Sequence, residues 1–206
     1  ILLAVVSQVL SPRQQANALL DQQKQILVAL NQDYSKADPA AMYKELVKDS
    51  TANGLPLYVA TIDGETKYVL KLHGAGLWGG IGGYLALDAD KNTIFGINFN
   101  HESETPGLGA EIVAAYFRNQ FNGKHIRNAE GTICSVAVLK TGKTAENGQE
   151  QVDAISGATI TSTGVSDMLV NNLAEYAEFL NDCQTNNCAA PCEAVSESDE
   201  VAQTVE

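Results

Sequence analysis

Apolar positions follow a helical repeat near both ends of the chain. Over residues 11–31 the repeat predicts a helix, and Pro12 suits its first turn. Asp38 followed by Pro39 predicts the start of a second helix. Further on, a single apolar stripe predicts a long helix over residues 164–181. The stripe consists of Val165, Leu169, Leu173, Tyr176 and Leu180.

The middle of the chain alternates between apolar strands and polar turns. Residues 57–72 contain two β-prone runs around the pair Asp63–Gly64, which is typical of a tight hairpin. Residues 83–100 repeat this arrangement around the polar turn DADKN. The run TICSVAVLK is apolar on both faces, which favours a central strand. Because the strands cluster between helices and share hairpin-type links, the predicted fold class is α+β, with an antiparallel sheet flanked by helices.

Three glycine-bearing segments interrupt these elements: HGAGLWGGIGG, HESETPGLG and SGATITS. Glycine lets a backbone approach a ligand closely, so three such loops in a short chain predict a shared ligand surface. The first loop contains G-x-G, but no helix follows it and the G-K-[ST] ending is missing. Neither a dinucleotide fingerprint nor a P-loop is therefore expected. Trp78, within this loop, is either a core anchor or a wall for a flat aromatic ligand. After the second loop, residues 110–121 predict a helix with Ile112, Ala115 and Tyr116 on one side.

Charge is distributed unevenly over the 206 residues, whose net charge is −12. Beyond Lys143 there are 12 acidic residues and no Lys or Arg. This anionic part argues against nucleic-acid binding, which needs a basic face. The histidines show no metal-ligand spacing and there is no G-x-S-x-G elbow, so a metal site and a hydrolase are both disfavoured.

Both ends of the chain leave alternatives open. The run ILLAVVSQVL is shorter than the roughly 20 residues that span a bilayer. It fits the last turns of a membrane helix, a buried helix or a signal remnant. In the acidic tail, Cys183, Cys188 and Cys192 lack a fourth ligand for zinc or an iron–sulfur cluster, so one small disulfide with a thiol left over is favoured. Cys134 is expected to pack inside a strand.

Thr159 presents a hydroxyl among small residues, just before the predicted last helix. A helix N-terminus carries free N–H groups and a partial positive charge, so it favours a phosphate. The alternative is that Thr161, Ser162 or Thr163 simply caps this helix. Capping explains one hydroxyl but not the run of small residues before it.

Asp153, Ser156, Gly157, Ala158 and Thr159 fit the pattern D-x-x-[ST]-G-A-T. This pattern resembles the target of flavin transferases, which join FMN through its phosphate to the threonine hydroxyl. In addition, HGAGLWGGIGGYLAL, HESETPGLGAEI and DAISGATITSTGV occur in the order seen in the C-subunit of the Na+-translocating NADH:quinone reductase family. The G-subunit of the related Rnf complex shares ETPGLG and SGAT, but HGAGLWG favours the former.

The resemblance implies an FMN site with defined members. Thr159 is expected to hold FMN covalently, and Asp153, Ser156, Gly157 and Ala158 to form the motif that the transferase recognises. Residues expected near the isoalloxazine ring are Glu104, Thr105, Gly107, Leu108, Gly109, Leu77 and Trp78. Ile160 and Thr161 are expected to continue this contact, and Lys140 to lie near the flavin or its phosphate.

The resemblance also implies an organisation and a function. Residues 1–31 are expected to hold the remnant of a single membrane helix and a following helix. Residues 32–181 are expected to form an FMN domain on the periplasmic side of a bacterial inner membrane, and residues 182–206 an acidic tail. The chain would relay single electrons between redox centres of a sodium-pumping NADH:ubiquinone reductase, with the other subunits and a flavin transferase as partners, and would turn over no substrate alone. Alternatives are the Rnf counterpart or a non-redox module that binds a phosphate ligand.

Overall fold

The structure, a computed structural model, describes residues 2–35, 37–145 and 148–182, with side chains described from residue 11 onward. Helix α1 spans Leu2–Ala29, and α2 spans Pro39–Leu46. The Asp38 side chain accepts a hydrogen bond from the Ala40 N–H, which confirms the predicted start of α2. Pro12 lies inside α1 and not in its first turn, because the apolar residues before it continue the same helix. In the described part of the chain, no helix combines the length and the apolar character needed to cross a membrane.

Five antiparallel strands form the main sheet, and their order in space is their order along the chain. The strands are β1 Val47–Ala52, β2 Leu55–Ile62, β3 Glu65–Ala75, β4 Gly80–Leu87 and β5 Ile94–His101. Asp63 and Gly64 both have positive φ, as the predicted hairpin between β2 and β3 requires. The polar strand β1 was not predicted, although Asn53–Gly54 forms the same kind of turn after it.

Much of the first glycine-rich segment is strand and not loop. β3 continues to Ala75 and β4 begins at Gly80, so only a short turn remains between them. The Gly76 N–H donates to the Gly79 carbonyl across this turn, at 2.8 Å. Within β4, a Cβ on Gly83 would lie 1.9 Å from the Asn98 carbonyl oxygen of β5. The absence of a side chain at Gly83 therefore allows β4 to pair with β5, and it is not explained by a ligand.

The helix predicted over residues 110–121 is broken into three short pieces. A 3₁₀ helix spans Gly109–Val113, α3 spans Ala115–Arg118, and a second 3₁₀ helix spans Asn119–Phe121. The break occurs at Ala114, whose backbone is extended. The buried side chains are those of Ile112, Phe117 and Phe121, whereas Ala115 and Tyr116 are exposed. The prediction that Ile112, Ala115 and Tyr116 share one side of a helix was therefore wrong.

The prediction of a central strand in TICSVAVLK is also wrong. Only β6, Val136–Leu139, is a strand, and it pairs in parallel with β7, Glu150–Asp153, in a separate two-stranded sheet. Ser135 has φ of 66°, so the backbone is not extended at the residue immediately before β6. Cys134, just before it, is partly buried. The predictions for the tail cysteines lie outside the described residues.

Helices cover both faces of the main sheet. On one face, α1 contributes Ile26, Leu27 and Ala29 to a core shared with Tyr58 and Tyr84. The other face is covered by α4, Thr159–Glu175, and α5, Ala177–Asn181. Every residue of the predicted apolar stripe is buried in this second core. The α+β prediction is confirmed, and the segments after β3 and β5 meet the start of α4 on this second face.

Candidate functional site

Three segments that are distant in sequence line one cleft of about 440 Å³. They are the turn between β3 and β4, the segment after β5, and the turn that leads into α4. The sheet brings the first two together, because β4 and β5 are neighbours, and α4 crosses the same end of β3. The lining residues are Leu77, Trp78, Glu104, Thr105, Leu108, Gly109, Gly157, Ala158, Thr159, Ile160 and Thr161. All of them belong to the predicted site.

A second cleft of about 350 Å³ lies on the other side of the turn before α4. Lys140 and Ser156, also predicted, line this cleft and not the first one. Gly157 and Thr159 line both clefts, so the Thr159 side chain stands at their boundary.

Two predicted residues line neither of these clefts. Asp153 is exposed at the end of β7, where its Oδ1 accepts a hydrogen bond from the Thr141 hydroxyl at 3.2 Å. Gly107 has φ of 76° and open space where a Cβ would lie, so it forms a turn. The geometry leaves Asp153 accessible to another protein but places it outside the clefts.

Helix α4 begins at Thr159, five residues earlier than predicted. Ala158 occupies the N-cap position and provides no side-chain hydrogen bond. The first N–H paired within the helix is that of Ser162, which donates to the Ala158 carbonyl at 2.9 Å. The N–H groups of the first turn are therefore available to an anion beside the Thr159 hydroxyl.

The hydroxyl groups that were candidate caps have other partners. Thr161 donates to Glu104 at 2.6 Å, and Ser162 Oγ accepts from the Ile155 N–H at 3.2 Å. Thr163 donates to the Thr159 carbonyl at 3.0 Å. The Thr159 side chain is exposed and makes no hydrogen bond within the described part of the chain. The alternative explanation by capping is thus wrong.

Exposed apolar side chains form a rim around the first cleft. This apolar rim consists of Leu77, Trp78, Leu108 and Ile160, with exposed fractions of 46%, 66%, 41% and 59%. Trp78 is therefore not a core anchor. Grouped exposure of large apolar residues marks a binding surface, because it is unfavourable in water. The shape and chemistry suit a flat, largely apolar ring.

Glu104 forms the floor of the first cleft and is 4% exposed. Its Oε1 accepts from the Trp78 N–H at 2.8 Å, and its Oε2 accepts from Thr161. Burial acts to raise the pKa of this carboxyl, but hydrogen bonds from Thr161, Trp78 and Leu77 outweigh it, and the net pKa is lowered. Glu104 is therefore an anion at neutral pH. The sequence motif indicated its position but not these contacts.

Sequence reasoning missed part of the second cleft. Thr141 and Thr163 line it together with Lys140. Thr163 follows Thr159 by one helical turn, so once the helix is known to start at Thr159 the two hydroxyls are expected on one face. Among the described residues, no group of His, Cys, Asp and Glu could hold a metal ion.

Comparison with known proteins identifies the family. Residues 76–174 match the FMN-binding domain family. The C-subunit of the Na(+)-translocating NADH-quinone reductase of Yersinia pestis is 38% identical over 116 residues, 55% of this chain and 43% of that protein. The Vibrio alginolyticus C-subunit is 35% identical over 156 residues, 73% of this chain and 54% of that protein. The chain thus spans about half the length of these curated relatives.

Solved structures extend the match to nearly the whole described fold. The crystal structure of the C-subunit from Parabacteroides distasonis is 41% identical, with a TM-score of 0.78 over 86% of this chain and 98% of that one. NqrC of Shewanella oneidensis, 22% identical with a TM-score of 0.63, shares the fold. With the sequence, the cleft geometry and these matches in agreement, the chain belongs to the C-subunit family of the Na(+)-translocating NADH-quinone reductase.

Proposed function

We propose that this chain carries FMN, joined through its phosphate to the Thr159 hydroxyl, and relays electrons within a Na+-translocating NADH:quinone reductase. The observation that supports this most is the position of Thr159. Its exposed hydroxyl lies on the first residue of α4, at the boundary of two clefts and beside uncapped N–H groups.

The described residues fit FMN. The apolar rim suits the isoalloxazine ring, and a cleft of about 440 Å³ lies within the usual range for such ligands. The first turn of α4 suits the phosphate, because its N–H groups and the helix dipole both favour an anion. Lys140, lining the second cleft, supplies a positive charge on the other side of Thr159.

Each part of the site has a separate task in this proposal. FMN supplies the redox chemistry when bound, since it accepts and donates electrons. The apolar rim excludes water from one side of the ring, and the turn Ser156–Ala158 keeps side-chain bulk away from the attachment point. The flavin transferase would recognise the exposed Asp153 together with this turn. The ester keeps the cofactor on the protein where free FMN is scarce.

The family match supports the wider assignment. The relatives are subunits of a Na(+)-translocating NADH-quinone reductase, so we assign this chain to a membrane-associated complex in which other subunits supply and receive electrons. In this proposal the domain lies on the periplasmic side and is held by a single N-terminal membrane helix. The Rnf assignment and a non-redox phosphate-binding role are not favoured, because the matched relatives are named for the reductase.

Attachment at Thr159 is tested by producing the protein together with a flavin transferase and mapping its peptides. Wild type should carry one covalent FMN on the peptide that contains Thr159, and denatured protein should retain flavin fluorescence. Thr159→Val should lose the attached flavin completely while keeping the fold, because it removes only the hydroxyl. The matched control is Thr163→Val, which removes another exposed threonine hydroxyl one helical turn away and should retain full labelling.

Two outcomes would contradict the proposal. Flavin retained by Thr159→Val would place the ester on another residue. Wild-type protein without covalent flavin, under conditions in which a known substrate of the same transferase is labelled, would remove the basis of the redox function.

A further inference from the structure

Glu104 connects all three segments of the first cleft. It belongs to the segment after β5, it binds the N–H of Trp78 in the turn between β3 and β4, and it binds Thr161 in the first turn of α4. We call these contacts the Glu104 network. A single buried side chain thus joins the three walls of the cleft.

Two glycines leave the space in which this carboxylate sits. A Cβ on Gly76 would lie 2.5 Å from Glu104 Oε1, and a Cβ on Gly109 would lie 2.2 Å from Oε2. Neither glycine has the positive φ that would explain it by backbone conformation. Both positions are therefore shaped around the carboxylate.

The charge of the network has a direct consequence for a redox ligand. An electron added to a ring above Glu104 meets a fixed negative charge that is buried and weakly screened. Such a charge disfavours the reduced, electron-rich form relative to the oxidised one. The Thr161 hydroxyl in the first turn of α4 and the amides of Leu77 and Trp78 stabilise the carboxylate itself.

We propose that Glu104 is a positioning residue whose buried anionic carboxylate holds the three walls of the cleft together and lowers the reduction potential of the flavin bound there. This inference rests on the proposed function. It assigns to Glu104 a structural task and an electrostatic task, and the two can be separated by experiment.

The test compares flavin-loaded wild type with Glu104→Gln. Glutamine keeps the size, and its oxygen accepts from the Trp78 and Leu77 amides. Its NH₂ donates to the Thr161 oxygen, so the variant loses the charge and reverses the direction of the Thr161 hydrogen bond. Potentiometric titration with dithionite should give a higher midpoint potential for the variant. Because Glu104 is buried, the increase should persist at high salt.

The matched control is Glu102→Gln. Glu102 is exposed, lies two residues away, and accepts from the Gly80 N–H at 3.2 Å, so its change removes the same charge at the surface. Its midpoint potential should stay close to that of wild type. Equal potentials in wild type and both variants would overturn the electrostatic proposal, whereas absence of flavin from wild type would instead contradict the proposed function.

The apoprotein provides a readout that needs no flavin. Because the pKa of Glu104 is lowered in the folded state, its contribution to stability is full above about pH 4.5 and is lost as the pH falls through the folded pKa. His101 of β5 acts on Glu104 in the same direction, whereas α4 and the turn after β3 present uncharged donors. The unfolding free energy should therefore fall more steeply below pH 4.5 in wild type than in Glu104→Gln, and equal slopes would contradict the network.

A second variant keeps the proposal testable if Glu104→Gln does not fold. Thr161→Val removes one donor and leaves the carboxylate, so the pKa of Glu104 should rise. On lowering the pH, the midpoint potential should then depart upward from the wild-type profile at a higher pH. A profile that superimposes on that of wild type would overturn the proposal.

Discussion

Some residues of the cleft matter because they lack a side chain that would clash with a neighbour, and others matter because of their functional groups. Gly109 illustrates this, because a Cβ there would approach both Glu104 and the Thr161 hydroxyl, at 2.2 and 2.6 Å. Gly107, two residues earlier, has open space around it but φ of 76°. Two glycines of one loop thus satisfy different requirements, one steric and one conformational.

Gly109→Ala should therefore disrupt the Glu104 network. The carboxylate can move only by giving up its hydrogen bonds, and we expect a loss of about 1–3 kcal/mol in the free energy of unfolding. We also expect altered visible circular dichroism in the flavin-loaded protein. Gly107→Ala is the control: it should cost about 1 kcal/mol through backbone strain and leave the flavin signal unchanged. Urea unfolding and the flavin spectrum check both, and an unchanged spectrum in Gly109→Ala would contradict the expected clash.

Helix α4 is the element that joins fold and function. Its stripe packs into the core while its first turn forms a wall of both clefts. Close approach to β3 sets its position, since a Cβ on Gly164 would lie 2.4 Å from the Ala75 carbonyl oxygen. Asn172 adds a link, donating to the His73 carbonyl at 2.8 Å and accepting from the His73 N–H at 3.2 Å.

Gly164→Ala separates packing from helix propensity. In an unhindered helix this substitution stabilises by up to about 1 kcal/mol. Here the contact with a backbone atom should reverse the sign and cost about 1–3 kcal/mol. The control is Asn171→Ala at an exposed position of α4, which should be neutral or slightly stabilising. Unfolding of the apoprotein in urea measures both, and a stabilised Gly164→Ala variant would show that α4 is not seated on β3 in this way.

In the described part of the chain, the main sheet lies between two cores that have different roles. The core under α1 contains no residue of the clefts, whereas the core under α4 includes Ala158 and adjoins Glu104. The α1 face therefore contributes stability, and the α4 face contributes stability and also places the site.

This division predicts different effects for two leucine truncations. Leu27→Ala and Leu169→Ala both remove fully buried side chains and should each cost about 2–5 kcal/mol. Only Leu169→Ala should also change the visible circular dichroism of the flavin-loaded protein, because it loosens the packing of α4 against the main sheet. Spectra taken well below the unfolding transition distinguish the two. A change of equal size in Leu27→Ala would mean that the cores are not separable.

Local pattern was enough to predict the parts of the fold that depend on neighbours along the chain. Asp63–Gly64 specifies its turn because both residues tolerate positive φ, and Asp38–Pro39 specifies a helix start through one side-chain acceptor and a fixed φ. The stripe of α4 follows from a repeat that a helix places on one face. The motif around Thr159 likewise indicated residues that the structure brings into the first cleft.

Contacts between distant segments account for what could not be predicted. Strand β1 is polar and is a strand because β2 pairs with it, whereas apolar β6 lies outside the main sheet and pairs with β7. Buried Glu104 is bound by Trp78 and Thr161, which lie 26 and 57 residues away along the chain. Burial and charge state belong to such assembled environments, since they depend on which groups exclude water from a side chain and which donate to it. A local sequence pattern does not specify the burial or the charge state of a side chain.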